Sequence, residues 1–260
     1  MLLSSLILLT FCQNYTPDNL NSTGLSSKIL IDSNANTIAQ RYLCTDSFYR
    51  LKYDTGSFQY YLSHLPLKPV GSRVQYFDGS YKSAYAYSSV IDMDISPLDL
   101  QQCADAVMRL RGEYLYNTRQ YDKIAFRFLG DGKMHSFKEY AGHDQSYKKF
   151  RKYMDYVFSY ANTASLHKQL YPQSFYKMQI GDVFIQKGNP YGHAVIVVDM
   201  CQNKNGDKKF MLAQSYMPAQ ETQVLLNPDG SGSWYSKPET IKLYTPEWTF
   251  DTTDLRTWNH

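Results

Sequence analysis

The chain has 260 residues and a mass of 30.2 kDa, enough to bury a substantial hydrophobic core. Hydrophobic residues make up 43% of it and charged residues 20%, a balance that excludes collagen-like, coiled-coil and broadly disordered proteins. Its 27 Lys and Arg against 24 Asp and Glu leave a net charge of +3, which gives no reason to expect a nucleic-acid partner.

The first 36 residues predict a secretion signal followed by a polar linker, here called the tether. An apolar run from Leu2 to Phe11 is too short to span a bilayer and ends at Cys12. This pattern is typical of a secretion signal, with Cys12 as a candidate lipidated residue of a mature lipoprotein. The alternatives are a plain secretory peptide with an incidental cysteine and a wrongly chosen start codon. We expect a signal or lipoprotein-like segment at 1–12, a polar tether at 13–36 and a single domain at 37–260.

Helical spacing of apolar residues occurs in three places in this domain. Helices are expected at 57–65, 96–116 and 146–169. The start of the second helix rests on Ser96, which can cap a helix, and on Pro97, which suits a first helical position. A later start near Gln102 is the alternative.

Strand-like runs bounded by turn residues are concentrated in the last third of the chain. Strands are expected at 74–77, 85–93, 124–129, 182–185, 193–200, 209–214, 222–226 and 240–244. Helices followed by an antiparallel sheet make an α+β arrangement.

Three residues of this arrangement could share one reaction. His193 opens a strand that returns from a hairpin, so its imidazole lies at a sheet edge and could act as a base. Gln214 ends the next strand and could bond the second ring nitrogen, a role that Ser215 or a backbone carbonyl could fill instead. Cys103, on the second helix, is either a nucleophile served by this base or a small buried apolar residue in line with Val107.

Four motifs carry a resemblance to known proteins. They are DLQQCADA at 99–106, GDVFI at 181–185, GHAVIVVD at 192–199 and LAQSYMPAQ at 212–220. The set resembles an uncharacterised family of exported bacterial proteins, often lipoproteins. More distantly, the order of Cys, His and polar residue resembles the NlpC-type and CHAP papain-like cysteine peptidases and amidases of bacterial cell walls. The resemblance implies papain-like helices packed on a C-terminal antiparallel sheet, with Cys103 attacking, His193 carrying the proton and Gln214 orienting the imidazole.

Two functional hypotheses follow. The first is an exported thiol hydrolase that acts on a cell-envelope amide such as peptidoglycan, the substrate being implied by the resemblance and the export signal. The second is a non-catalytic envelope-binding or scaffold module that uses a cleft lined by some of the 24 Tyr residues. The cysteines and histidines show no zinc-ligand spacing, so we expect neither a metal nor another cofactor.

Polar residues near Cys103 are further candidates for binding a substrate or stabilising an oxyanion. Gln101 and Gln102 could each donate an amide N–H to an oxyanion. Arg109 and Arg111 could clamp a substrate carboxylate, but the nearby acidic residues Glu113 and Asp105 favour internal ion pairs.

Cys44 and Cys201 are expected to remain unpaired. Nothing in their spacing demands that they meet, and a domain with a large core does not require the stabilisation that a bridge would add. Export permits a disulfide without compelling one.

Overall fold

The computed structural model describes residues 31–45, 47–83, 85–188 and 190–259. The predicted segment at 1–12 and most of the predicted tether lie outside these residues. The last tether residues, 31–36, contact the domain, since the carbonyl oxygen of Ala35 accepts hydrogen bonds from Nε and Nη2 of the buried Arg41 at 3.0 and 2.8 Å.

Six α-helices lie in the described part of the chain. They are α1 Ile38–Arg41, α2 Phe58–Ser63, α3 Cys103–Asn117, α4 Phe137–Ala141, α5 Tyr147–Tyr160 and α6 Thr163–Gln169.

Thirteen β-strands lie in the same residues. They are β1 Tyr49–Arg50, β2 Tyr87–Val90, β3 Ala125–Arg127, β4 Met134–Ser136, β5 Tyr171–Pro172, β6 Val183–Gln186, β7 His193–Gln202, β8 Lys208–Gln214, β9 Gln223–Leu225, β10 Tyr235–Ser236, β11 Lys242–Tyr244, β12 Thr249–Asp251 and β13 Leu255–Thr257.

Nine of these strands form one sheet. Its order is β2-β9-β8-β7-β6-β13-β5, with β1 added to β7 and β10 added to β8, and its pairings are antiparallel. The pairs β3-β4 and β11-β12 stand apart from it. Helices mostly precede this sheet along the chain, which confirms the predicted α+β class.

The core is organised around β7. Its run of Ala, Val and Ile residues is buried from His193 to Cys201, as expected for a strand covered on both faces. α2 and α3 pack against it, and the cluster of buried apolar side chains extends from Ile38 to Trp258.

The start of α3 differs from the first of the two predicted positions. Instead of beginning at Ser96, the helix begins at Cys103. The Asp99 carboxylate accepts hydrogen bonds from the backbone N–H of Ala219 at 2.6 Å and from Gln102 Nε2 at 3.1 Å, which holds this turn away from the helix. The helix is capped instead by Asp105, whose Oδ2 accepts the Gln102 N–H at 3.1 Å. The alternative start near Gln102 is therefore confirmed.

The helix expected at 146–169 is two helices. α5 ends before Ala161, and Asn162 starts α6 because its Oδ1 accepts hydrogen bonds from the backbone N–H groups of Ala164 and Ser165 at 2.9 and 3.0 Å. Asparagine is a strong capping residue, so a local cap interrupts an otherwise continuous apolar spacing.

Of the two strands predicted before α3, one is shorter than expected and the other does not form a strand. Only Tyr87–Val90 forms a strand within 85–93, and 74–77 contributes isolated bridges from Gln75 to Tyr81 and from Tyr76 to Gln220. The five predicted strands of the last third are confirmed, with bounds that shift by up to two residues.

The prediction that Cys44 and Cys201 stay unpaired is wrong. They form a disulfide with a Cα–Cα distance of 6.2 Å, although they are 157 positions apart in the sequence. The cause is the pairing of β1 with the end of β7, where Arg50 lies opposite Cys201. Arg50 also forms an ion pair with the buried Asp199 at 2.7 Å, which ties the entry segment to this strand.

We predict that Cys44→Ser combined with Cys201→Ser lowers the free energy of unfolding by about 2–5 kcal/mol, because the unfolded chain loses a long-range constraint. Urea unfolding monitored by tryptophan fluorescence measures the loss, and reductant-treated wild type should lose a similar amount. Alkylation of both cysteines in denatured, unreduced protein would contradict the pairing itself.

Candidate functional site

Cys103 lies at the N-terminus of α3, facing the first residues of β7. Its Sγ is 3.9 Å from the carbonyl oxygen of Gly192, and the backbone N–H of Ala194 also reaches the sulfur. The thiol therefore contacts the backbone on both sides of His193. A Cβ at Gly192 would collide with the carbonyl oxygen of Gln186, so glycine is required for this tight end of the hairpin.

Cys103 is only 6% exposed, and this burial is the main influence on the pKa of its thiol. Burial and then the nearby charge of Asp105 raise the pKa of the thiol to about 12, although N–H groups including those of Ala104 and Ala194 act in the opposite direction. In this conformation the thiol is protonated at neutral pH.

Asp105 is itself shifted towards its neutral form. Burial raises the pKa of its carboxyl group to about 8, against the lowering effect of backbone N–H groups that include that of Gln102. Its Oδ1 is buried without a hydrogen-bond partner among the described residues. At neutral pH most Asp105 side chains are consequently protonated, so their repulsion of a thiolate is small.

His193 and Gln214 are paired as the sequence predicted. His193 Nε2 lies 2.8 Å from Gln214 Oε1, and the imidazole is 1% exposed. The rings of Tyr216, Trp248 and Phe250 surround it, with centroid distances of 4.8, 5.3 and 5.9 Å.

The electrostatics of this pocket keep the imidazole neutral. Burial lowers the pKa of His193 to about 4, the hydrogen bond with Gln214 opposes the shift, and the charge of Lys82 adds to it. At pH 7 one ring nitrogen therefore carries a proton and the other is a free base.

A partly buried ion pair determines which nitrogen of His193 carries the proton. Glu247 Oε2 accepts a hydrogen bond from Gln214 Nε2 at 2.6 Å and from Lys82 Nζ at 2.7 Å. A carboxylate can only accept, so the Gln214 amide must turn its N–H to Glu247 and its oxygen to His193. Because that oxygen also only accepts, the proton is on Nε2 and Nδ1 of His193 is the free base.

Sequence reasoning missed Lys82 and Glu247. They are 165 residues apart and belong to no motif. Lys82 follows a turn, Glu247 lies between β11 and β12, and neither position shows a spacing that points to His193.

The two glutamines before Cys103 have separate roles. Gln102 Nε2 donates to Asp99, so its amide is engaged in the turn that precedes the helix. Gln101 is buried, and its Oε1 accepts a hydrogen bond from Arg109 Nη1 at 3.1 Å. The Nε2 of Gln101 has no hydrogen-bond partner among the described residues.

The internal ion pairs that the sequence favours over a clamp are confirmed for Arg109. Arg109 is buried and forms ion pairs with Glu113 at 2.7 Å and with Asp94 at 3.0 Å. Arg111 points to another face of α3, where its guanidinium lies over the ring of Phe58 at 4.8 Å. The two cations therefore do not converge on one ligand.

The described residues contain no group of three or more His, Cys, Asp or Glu side chains that could hold a metal ion. In the same residues, no helix has both the length and the apolar character needed to cross a membrane.

Comparison with known proteins identifies one family. A family model described as "Domain of unknown function (4846)" matches residues 38–143 and 130–257, which together span most of the chain. No curated protein and no solved structure gives a significant match.

We predict that Glu247→Leu shifts neutral His193 from the Nε2–H form towards the Nδ1–H form, because the Gln214 amide is then free to turn over. Nitrogen-15 NMR of the imidazole near pH 7 measures the ratio of the two forms. Glu247→Gln, which keeps an accepting oxygen, and the exposed control Glu239→Leu should both retain the Nε2–H form. An Nδ1–H form in the wild type would contradict the assignment.

Proposed function

We propose that this chain, which belongs to the family described as domain of unknown function (4846), is an exported papain-like thiol hydrolase that cleaves a cell-envelope amide such as one in peptidoglycan. One observation carries the proposal. Cys103 is the first residue of α3 and contacts the backbone on both sides of His193, whose Nε2 is bonded to Gln214. Thiol, base and orienting amide thus occur together in the chain order of papain-like enzymes.

The proposed reaction uses the free Nδ1 of His193. The thiol proton passes to Nδ1 while Sγ forms a bond to the carbonyl carbon of the amide. The C–N bond then breaks, and the imidazolium returns the proton to the departing amine. Water, deprotonated by the same nitrogen, hydrolyses the thioester, releases a carboxylic acid and restores the thiol.

Three side chains support this chemistry without being the nucleophile or base. Gln214 orients the imidazole, and Glu247 is a positioning residue that acts through Gln214. Gln101, two positions before Cys103, is our candidate for the oxyanion donor. Its oxygen is held by Arg109, which leaves the N–H group for an anionic oxygen.

The papain-like assignment is supported by the packing of α3 against β7 and β8, which carry the His and Gln residues. Export is supported by the Cys44–Cys201 disulfide, since such bonds persist mainly in oxidising compartments. A lipid anchor at Cys12 is also part of the proposal, and its support is the apolar run that ends at this cysteine.

We predict that purified protein releases amine-terminated fragments from peptidoglycan or its stem peptides, and that Cys103→Ala lowers the rate by at least about a thousandfold because the nucleophile is lost. Liquid chromatography with mass spectrometry measures the fragments. His193→Asn should cause a loss of similar size, because both residues act as a unit.

The matched control is His135→Asn, since His135 is paired with Asp131 at 2.9 Å in a separate hairpin. This variant should keep full activity. Full activity of Cys103→Ala in an active preparation would refute the hydrolase proposal.

A second candidate function is favoured by the burial of the site. Cys103 is 6% exposed, His193 is 1% exposed and both are in their neutral forms. These properties fit a non-catalytic envelope-binding module in which the thiol only packs against β7.

Thiol labelling separates the two functions. If the protein is a hydrolase, Cys103 in native protein should react with iodoacetamide near neutral pH, and His193→Asn should slow the reaction because the thiolate loses its partner. If the protein only binds, Cys103 should stay unmodified until the chain unfolds. Intact mass measured over time gives the rate, and the disulfide removes the other two described cysteines from the count.

A further inference from the structure

We propose that a cavity beside the middle of α3, centred on Arg111, binds a small organic anion: a carboxylate or phosphate group carried on an apolar or aromatic body. This site is separate from Cys103. Arg111 lies eight residues further along the same helix, which corresponds to about 12 Å along its axis.

Two adjoining cavities meet at Arg111, and the larger one is the proposed anion site because the acidic residue Asp182 also lines the smaller one. One has a volume of about 270 Å³ and the other about 530 Å³, and Arg111, Lys123 and Trp258 line both. The larger one has the size expected of a pocket for a small molecule.

The guanidinium of Arg111 is held in place by aromatic rings but is not paired with a carboxylate of the described residues. Its guanidinium lies over the rings of Phe58, Tyr114 and Trp258, at 4.8, 5.5 and 5.5 Å from their centroids. It forms no hydrogen bond or ion pair through its side chain with the described residues. Burial lowers its pKa, as expected where no carboxylate offsets the loss of water. The aromatic contacts fix the plane of the guanidinium and leave its N–H groups for an acceptor.

The larger cavity has a strong excess of positive charge. Lys123, Arg127 and Lys168 line it together with Arg111, whereas no Asp or Glu of the described residues does. None of these four cations forms an ion pair within the described parts of the chain. Unpaired cations in a concave site attract anions and strengthen their hydrogen bonds.

The apolar residues that line the larger cavity indicate the chemistry of the ligand's body. Leu115, Phe126, Met134 and Trp258 give the larger cavity apolar and aromatic surface. An anionic head bonded to Arg111 would therefore extend a ring or short apolar chain along these side chains. Free inorganic phosphate could use the cations but would gain nothing from the apolar walls.

The test is a titration of the full disulfide-bonded chain carrying Cys103→Ala, which keeps it independent of hydrolysis. The probes are benzoate, phenyl phosphate and inorganic phosphate, with binding followed by calorimetry and by the NMR signal of the Trp258 indole. We expect saturable binding of benzoate or phenyl phosphate, with inorganic phosphate weaker. Arg111→Met should weaken binding by at least about tenfold, because it removes a charge-assisted hydrogen bond.

Two further variants make the result specific. Arg73→Met is the matched control, since Arg73 also lies over an aromatic ring, that of Tyr81 at 5.1 Å, outside the two cavities. It should leave the affinity unchanged. Arg111→Lys keeps the charge without the planar fork, so it should weaken binding less than Arg111→Met does. If Arg111→Met fails to fold, Arg111→Lys is compared with the parent alone: weaker binding supports the proposal, and equally tight binding overturns it.

A preference for benzoate would identify a carboxylate ligand, and a preference for phenyl phosphate would identify a phosphate ester. The proposal is overturned if neither probe binds saturably, if both Arg111 variants bind as tightly as the parent, or if Arg73→Met loses as much affinity as Arg111→Met.

Discussion

The antiparallel pairing of β7 with its neighbours holds the whole arrangement in place. β6 and β8 bond its two edges, and β1 joins its far end. His193 begins this strand, while Asp199 and Cys201 near its other end hold the entry segment through an ion pair and a disulfide. Because β7 is buried on both faces, a slip by one residue would exchange the side chains that pack on its two faces, so the imidazole is held in a fixed place.

Burial also sets the chemistry of the site. The same exclusion of water that packs β7 raises the pKa values of Cys103 and Asp105 and lowers that of His193, so all three are neutral or largely so at pH 7. The charges that remain beside them belong to Lys82 and Glu247, which are paired. A thiolate and an imidazolium would form here only if a substrate brought compensating polar groups or opened the site, since ions in a dry interior are costly.

α3 contacts three environments. Cys103 lies at its start beside β7, Arg109 and Glu113 form a buried ion pair on a different face, and Arg111 reaches the cationic cavity about two turns beyond Cys103. Rotation by about 100° per residue separates Arg109 from the stripe of Cys103, Val107 and Arg111, and the rise of the helix separates Arg111 from Cys103. One helix thus serves a thiol site and a separate charged cavity.

The sequence by itself determined the class of the fold and the central contact of the candidate site, which joins His193 to Gln214. Long apolar runs between turn residues predicted β7 and β8, and a polar residue at the end of the second strand predicted the contact between His193 and Gln214, because neighbouring antiparallel strands bring those positions together. Only the tertiary structure decided the start of α3, where Asp99 bonds a backbone N–H of Ala219 from a distant loop, and the bond between Cys44 and Cys201. Apolar periodicity is a local property that a sequence displays directly. The choice of a distant partner depends on which strands and loops become neighbours when the core closes, and no spacing along the chain records it.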